Sequence, residues 1–379
     1  GGGAAADESC PPGRKPYHVI MTAASGKYQE WQSRIAYYHY RKQKALHPCS
    51  DMGGFTRLVN LPGGKPDSLV DEMPTVVVQQ LAGGRREGGD YGFIVMNRPW
   101  GVMQLLKTEH WRNIPEEYVL ILETDHLFMH PPPNKATPEQ PTAFKFYYMN
   151  SKDPKLQPVI RKYWSGSMDE VDPVGPSPAI MTKAMLEKIT PAWWDFSLRM
   201  KRDDQDANRE FGWVLEMWGY TLGVLSLGIK HIVDPEFQCE PQGTGMDGMS
   251  IYPIYHYTFD IRTDNVWSVS KRTYHGRYFP KNFRMPPPCS SESHFALTGM
   301  FNEASANLPR WEGEDAHGDR QPWPAKADDW RNDFSRAAAG ADESPGSWPA
   351  PVPASASTSR SATDLLVHAA VGTGPWKWG

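Results

Sequence analysis

Five apolar residues, Tyr118-Val119-Leu120-Ile121-Leu122, run straight into Glu123-Thr124-Asp125-His126. A run so short and so apolar reads as a buried strand of a mostly parallel sheet. In open α/β sheets the ligand crevice lies at the carboxyl ends of the strands. If the chain stays extended to residue 125, Glu123 and Asp125 point to the same side. Paired carboxylates in that place suit Mg²⁺ or Mn²⁺ held against a diphosphate. On this fragment alone, a solvated turn is an equal alternative.

Other side chains could join them. His256 lies in the aromatic run Ile254-Tyr255-His256-Tyr257-Thr258. A lone strand histidine is more often a core residue, and it becomes a ligand only if the fold carries it to Asp125. Carboxylate plus imidazole suits Mn²⁺ better than Ca²⁺. Phe211, Val214, Leu215, Trp218, Leu222 and Leu225 form the apolar stripe of a long helix over about Asn208–Leu227. On a neighbouring side, Gly212, Gly219 and Gly223 gather with Glu216. Each helical glycine costs roughly 1 kcal/mol against alanine. Three together imply close approach of another backbone or a ligand, with Glu216 facing a cleft. The competing reading is tight packing with Glu216 at its rim.

Upstream, Asp206 in Asp203-Asp204-Gln205-Asp206 is equally a helix N-cap and a sugar-binding carboxylate. Arg98, in Asn97-Arg98-Pro99-Trp100, stands at the mouth of a helix, where backbone N–H groups favour anions. Asp172 opens the turn-rich loop Asp172-Pro173-Val174-Gly175-Pro176-Ser177-Pro178, which serves equally as a pocket wall or a structural turn. The sequence has no phosphate-binding GxxxxGK[ST] loop, GxSxG elbow or HExxH helix, which argues against hydrolase and zinc-protease readings.

The elements that must position these groups alternate. Strands are expected at Tyr17–Thr22, Phe55–Val59, Thr75–Val78 and Tyr118–Leu122, with helices over Tyr28–Ala45 and from Pro99 to Thr108. Further strands are expected at Ala143–Tyr148, Ser177–Met181 and Ile251–Thr258, with short helices before the long one. This is the pattern of an α/β sheet with crossover helices. Residues 1–16 read as a loose lead-in, 17–315 as one catalytic domain, and 316–379 as a Pro/Ala/Ser-rich tail, disordered or surface-wrapping. Trp323, Trp330, Trp348, Trp376 and Trp378 could pin parts of that tail.

With 379 residues, a net charge of −4 and dispersed basic residues, nothing suggests nucleic acid as a partner. No stretch is long and apolar enough to span a membrane, and any native anchor is expected outside this sequence. Cys10, Cys49, Cys239 and Cys289 form no CxxC pair, so a structural zinc site is not expected. Two disulfides and four inert thiols are equal alternatives.

Six ordered blocks together resemble one family. They are Ser50-Asp51-Met52-Gly53-Gly54-Phe55-Thr56-Arg57, Met96-Asn97-Arg98-Pro99-Trp100, Glu123-x-Asp125-His126, Asp172-Pro173-x-Gly175-x-Ser177-Pro178, Phe211-Gly212-Trp213-Val214-Leu215-Glu216-Met217 and Ile254-x-His256-Tyr257-Thr258. With Phe301-Asn302-Glu303-Ala304, they are similar to the plant and algal hydroxyproline O-arabinosyltransferases over about Tyr17 to Trp311. Two departures stand out: Glu-Thr-Asp in place of a DxD motif, and Ser33 where the land-plant relatives are expected to carry Cys.

The resemblance implies a GT-A-type glycosyltransferase fold with a mostly parallel central sheet flanked by helices. It implies a retaining transfer of L-arabinofuranose from UDP-β-L-arabinofuranose to the hydroxyl of peptidyl 4-hydroxyproline, in a Golgi type II membrane protein. The acceptor is then a hydroxyproline-rich peptide or glycoprotein. The expected cofactor is Mn²⁺ or Mg²⁺ on Asp125 and His256. Thr22, Arg57, Arg98, Glu123 and Asp172 are expected around the donor, and Glu216 or Asp206 near the anomeric carbon. Trp193-Trp194 and Tyr147-Tyr148 would offer an aromatic surface to a Pro-rich acceptor. The alternatives are another UDP-sugar, such as UDP-galactose, used on hydroxyproline or serine, and a catalytically silent binder of Pro-rich peptides.

Overall fold

The computed structural model describes residues 10–311. In chain order its strands are β1 (Tyr17–Ala24), β2 (Met52–Leu61), β3 (Thr75–Gln79), β4 (Tyr118–Glu123), β5 (His126–Phe128), β6 (Thr142–Phe144), β7 (Ala179–Thr182), β8 (Ile232–Asp234), β9 (Ile254–His256), β10 (Ile261–Thr263) and β11 (Trp267–Val269). Its α-helices are α1 (Lys27–Leu46), α2 (Asn97–Leu105), α3 (Glu109–Asn113), α4 (Gln157–Ile160), α5 (Lys183–Asp203), α6 (Gln205–Phe211), α7 (Leu215–Ser226) and α8 (Glu292–Asn307).

The main sheet has seven strands in the order β3-β2-β1-β4-β7-β6-β8. β3, β2, β1 and β4 run parallel, β7 is antiparallel to both β4 and β6, and β8 is parallel to β6. The sheet is therefore largely parallel, with β7 alone reversed. The chain leaves β1 toward β2 on one side and β4 flanks β1 on the other, so the order reverses between β1 and β4. Ligand crevices open at such a switch point, at the strands' carboxyl ends. Thr22 and Glu123 face each other across that pair.

The apolar run at residues 118–122 is buried throughout, as a strand flanked on both sides and covered on both faces requires. Beyond Glu123 the strand does not continue. Thr124 and Asp125 form a turn, and β5 then pairs antiparallel with β9, setting His126 directly opposite His256. Tyr257 N donates to the Asp125 carbonyl at 3.2 Å, and His256 N donates to the Cys239 carbonyl at 2.9 Å, extending this small sheet by one chain. On α1, Trp31, Ile35 and Tyr38 make the buried face that the sequence predicts. Trp31 packs against Tyr257, Phe279 and Phe301, which ties α1 to β9 and α8.

Several elements differ from expectation. α5 runs unbroken for 21 residues through Pro191 where short helices were expected. The single helix expected over Asn208–Leu227 is two, α6 and α7, parted by a turn at Gly212 with φ +51. The Gly219 and Gly223 side of α7 receives a backbone and not a ligand. A Cβ at Gly219 would lie 2.8 Å from the Ser197 backbone, and one at Gly223 would lie 3.0 Å from that of Ala192. These glycines let α5 and α7 pack nearly backbone to backbone.

Cys10 and Cys49 form one disulfide, while Cys239 and Cys289 are thiols. Residues 10–16 are not loose. Besides the disulfide, Lys15 Nζ donates to the Ala136 carbonyl and Asp51 accepts from Lys15 N, both at 2.8 Å. Among the described residues no helix is long and apolar enough to cross a membrane. The tail at 316–379 and its tryptophans lie outside the described residues.

Gly219→Ala should cost about 1–3 kcal/mol, because the added methyl overpacks a contact that backbone cannot relieve. Urea unfolding measures the loss, and wild-type stability in this variant would contradict the close α5–α7 approach.

Candidate active site

Three elements distant in sequence meet at Arg98. The start of α2 presents it, and α2 lies close to β2 because Gly101 leaves room for Asn60, whose Oδ1 would stand 2.6 Å from a Cβ there. Arg98 Nη2 pairs with Glu123 Oε2 at 2.8 Å, and Nη1 with Glu216 Oε2 at 3.1 Å. Glu216 is fully buried on the first turn of α7, and its other oxygen accepts from Trp193 Nε1 at 2.9 Å. The α5–α7 packing that brings Trp193 to Glu216 thus follows from the glycines. Burial raises the Glu216 carboxyl, Arg98 opposes that, Glu123 adds to it, and the result is about 7. Arg98 stays charged despite its burial, because Glu123 and Glu216 flank it.

Asp125 belongs to a second group. Its Oδ2 lies 3.4 Å from His256 Nε2 and is in contact with Lys271 Nζ. Burial pushes the Asp125 carboxyl up, but Lys271 and His256 override it and hold the pKa well below the usual range. Burial disfavours charge on His256, yet Asp125 and Glu240 on either side raise it to about 9. His126 goes the other way: burial and the neighbouring His256 hold it neutral.

Asp125, His126 and His256 each offer a donor atom within 4.8 Å of the others. Adjacent donors about 2.1 Å from an octahedral ion stand about 3.0 Å apart, so Asp125 Oδ2 and His256 Nε2, 3.4 Å apart, reach one ion after a small closure. This oxygen–nitrogen pair fits Mn²⁺ or Mg²⁺, provided Lys271 yields the shared oxygen. His126 fits less well. Its Nδ1 accepts from Glu123 N at 2.9 Å, so the proton of the neutral ring sits on Nε2, which then has no lone pair to give.

The remaining predicted residues lie variously. Thr22 is at the crevice, its hydroxyl donating to the Leu122 carbonyl at 3.0 Å. Arg57 is buried in β2 and committed to Asp67 at 2.5 Å, with Nε and Nη1 lacking a partner. Asp172 does not reach the acidic cluster. It binds Lys230 and accepts from His231 N at 2.8 Å, which fixes the start of β8. Asp206 is also no part of it. Its side chain is about half exposed on α6 and paired with Lys162 and Arg209, each at 2.8 Å. The cap of α6 is Asp204, which accepts from Asp206 N and Ala207 N. Trp193 is buried and offers no aromatic platform, whereas Tyr147 is 62 % exposed. A cavity of 420 Å³ lined by Arg85, Tyr91, Lys201, Arg202, Gln205, Asn208 and Arg209 contains none of the predicted residues.

Sequence reasoning missed Lys271, Gln238 and Glu240. Gln238 Nε2 and Glu240 Oε1 lie 3.1 and 2.8 Å from His256 Nδ1. The alternation Gln238-x-Glu240 was a signal that both point one way; Lys271 carried none.

Residues 17–233 match the N-terminal domain, and residues 253–312 the C-terminal domain, of the hydroxyproline O-arabinosyltransferase family. The chain is 40% identical over 312 residues to hydroxyproline O-arabinosyltransferase RDN2 of Medicago truncatula, covering 79% of this chain and 82% of that one. It is 40% identical over 310 residues to hydroxyproline O-arabinosyltransferase 3 of Arabidopsis thaliana, covering 78% and 82%. A more distant relative is the peptidyl serine alpha-galactosyltransferase of Arabidopsis thaliana, 25% identical over 67% of this chain and 31% of its own length. The α/β fold and these matches define an enzyme of the glycosyltransferase class. The chain belongs to the hydroxyproline O-arabinosyltransferase family.

The raised Glu216 carboxyl makes folding proton-linked. Its folded pKa of about 7 lies above the unfolded 4.5, so its contribution is fully present below pH 4.5 and is lost as pH rises through 7. The full effect is on the order of 3 kcal/mol. Wild type should therefore lose stability relative to Glu216→Gln as pH rises from 4.5 past 7, measured by urea unfolding. Parallel pH profiles would show that Glu216 titrates normally.

Proposed function

We propose that this chain transfers L-arabinofuranose from UDP-β-L-arabinofuranose to the hydroxyl of peptidyl 4-hydroxyproline, with retention and with Mn²⁺ or Mg²⁺, on a GT-A-type fold. Family membership supports the sugar and the acceptor. The observation that carries the chemistry is the pairing of β5 with β9, which sets His256 Nε2 3.4 Å from Asp125 Oδ2 at the carboxyl end of β4.

Asp125 and His256 would hold the cation, which when bound neutralises charge building on the diphosphate. Lys271 leaves Asp125 for that diphosphate and adds a second positive charge. Thr22 and Glu123 line the uridine side of the crevice. Glu216 is fully buried, and Trp193 and Arg98 hold both of its oxygens in place, so it is not free to swing onto carbon as a nucleophile. This favours a front-face route: the acceptor hydroxyl attacks the anomeric carbon on the side the phosphate leaves, and its proton goes to the departing phosphate oxygen. Glu216, in its ionised form and held in place by Arg98, stabilises the oxocarbenium-like state. A Pro-rich acceptor in polyproline II form would lie on Tyr147 and Trp213, 62 % and 67 % exposed, the latter three residues before Glu216. The Cys10–Cys49 disulfide fits the oxidising lumen expected of a Golgi enzyme.

A second reading keeps the site and changes the sugar, and the serine galactosyltransferase relative supports it. Incubation with Mn²⁺, UDP-arabinofuranose and a hydroxyproline peptide should add one pentose by mass spectrometry. A hexose from UDP-galactose instead would favour the second reading, and no transfer from any UDP-sugar would refute both. Asp125→Ala and His256→Ala should each abolish Mn²⁺-dependent UDP binding in calorimetry. Unchanged binding in either would remove that residue from the cation site.

A further inference from the structure

His256 can serve a cation only if its Nε2 carries a lone pair, and the groups behind the ring decide that. Its Nδ1 faces Glu240 Oε1 at 2.8 Å and Gln238 Nε2 at 3.1 Å. These neighbours make opposite demands. A carboxylate can only accept, so it needs a proton on Nδ1. An amide NH₂ can only donate, so it needs a lone pair there. One nitrogen satisfies one of them.

One observation favours Glu240 over Gln238. The Glu240 side chain is 5% exposed, and apart from His256 neither of its oxygens meets a donor. A buried carboxylate without a donor is far costlier than a buried amide that loses one hydrogen bond. The backbone also aims it. Cys239 bridges Tyr255 and accepts from His256 N, so Gln238 and Glu240, on either side of Cys239, share the face toward the ring. On the far side of the ring, Thr258 Oγ1 sits against Nε2 and can donate to it, which is compatible with a lone pair there.

We infer that Glu240 is a positioning residue. It accepts a hydrogen bond from Nδ1–H of His256, fixes the ring's tautomer and angle, and so turns the Nε2 lone pair toward Asp125. Glu240 touches neither cation nor sugar in this role and acts only through His256. The inference rests on the cation reading of Asp125 and His256. Outer partners of ligating histidines typically change metal affinity by about 10–100-fold when removed.

The test is Mn²⁺ titration calorimetry, with UDP present and at one pH, on wild type, Glu240→Ala, Glu240→Gln, Gln238→Leu and His256→Ala, alongside thermal unfolding of each. Glu240→Ala should bind Mn²⁺ about 10–100-fold more weakly. Glu240→Gln keeps an acceptor of the same reach and should recover part of that loss. Gln238→Leu should stay within about twofold of wild type, since it leaves the Glu240 contact intact. A purely structural Glu240 would lower the unfolding temperature without weakening Mn²⁺ binding by the folded protein. Should Glu240→Ala not fold, Glu240→Leu, which offers Nδ1 no acceptor, decides in its place, and wild-type Mn²⁺ affinity there overturns the inference. So does a Gln238→Leu loss equal to that of Glu240→Ala, which would give the tautomer to Gln238. Mn²⁺ binding that His256→Ala abolishes and the Glu240 variants leave intact refutes this inference alone. No Mn²⁺ binding by wild type refutes the cation reading and this inference together.

Discussion

One guanidinium holds two carboxylates from opposite ends of the fold. Glu123 ends β4 and Glu216 begins α7, and Arg98 at the head of α2 sits between them at 2.8 and 3.1 Å. Without Arg98, the buried Glu216 would face the partly exposed Glu123 uncompensated, and the repulsion would raise the Glu216 carboxyl further. Removing one partner of such a buried group leaves uncompensated charge, so the three residues stand or fall together. The requirement reaches outward. α2 must lie close to β2, hence Gly101 against Asn60, and α7 must lie close to α5, hence Gly219 against Ser197. The glycines that look like helix faults set the distance at which Arg98 can bridge.

The second group depends on a shorter device. β5 and β9 have three residues each, yet their register sets His126 across from His256 and carries the Asp125 turn with it. Behind them, Cys239 adds one more chain, which places Glu240 against the ring. A ligand pair drawn from two distant segments is thus held by backbone hydrogen bonds, with Trp31 of α1 packing on Tyr257 from the side. Rigid backbone is what a site built from few donors needs, because the donors cannot correct one another's position.

Much of this was legible in the sequence. The apolar run into Glu123 predicted both the strand and the place of the crevice. The glycines of α7 predicted a close approach beside Glu216, though sequence could not tell helix from ligand. Asp172 and Asp206 show where the reading runs out. Each is an acid in a turn-rich stretch that suits a site and a structural turn or cap equally well, and only the partners that folding supplies decide between them: Lys230 and His231 for one, Lys162 and Arg209 for the other. Lys271 was invisible because it acts through a pairing across the fold that leaves no periodic trace, and the alternation Gln238-x-Glu240 showed a shared side without showing what it faces. The short helices expected before Asn208 are a different case. Proline usually ends a helix, but tertiary packing of the segment against α7 keeps α5 continuous.

The departure at Glu-Thr-Asp then has a physical sense. The turn at Thr124 sends the two carboxylates to different cations, Glu123 to Arg98 and Asp125 to Lys271 and His256. Their demands differ. Asp125 meets its partners across a turn at short range, where a short side chain loses little freedom. Glu123 must reach from the end of a central strand to a guanidinium on a neighbouring helix, and the extra methylene of glutamate supplies that reach. An aspartate there would leave Arg98 with Glu216 alone. Arg98 would then counter one carboxylate in place of two, and the Glu216 carboxyl would lose the neighbouring negative charge that helps hold it near neutrality. The glutamate therefore sets the protonation of a residue on another helix as well as filling one side of the crevice.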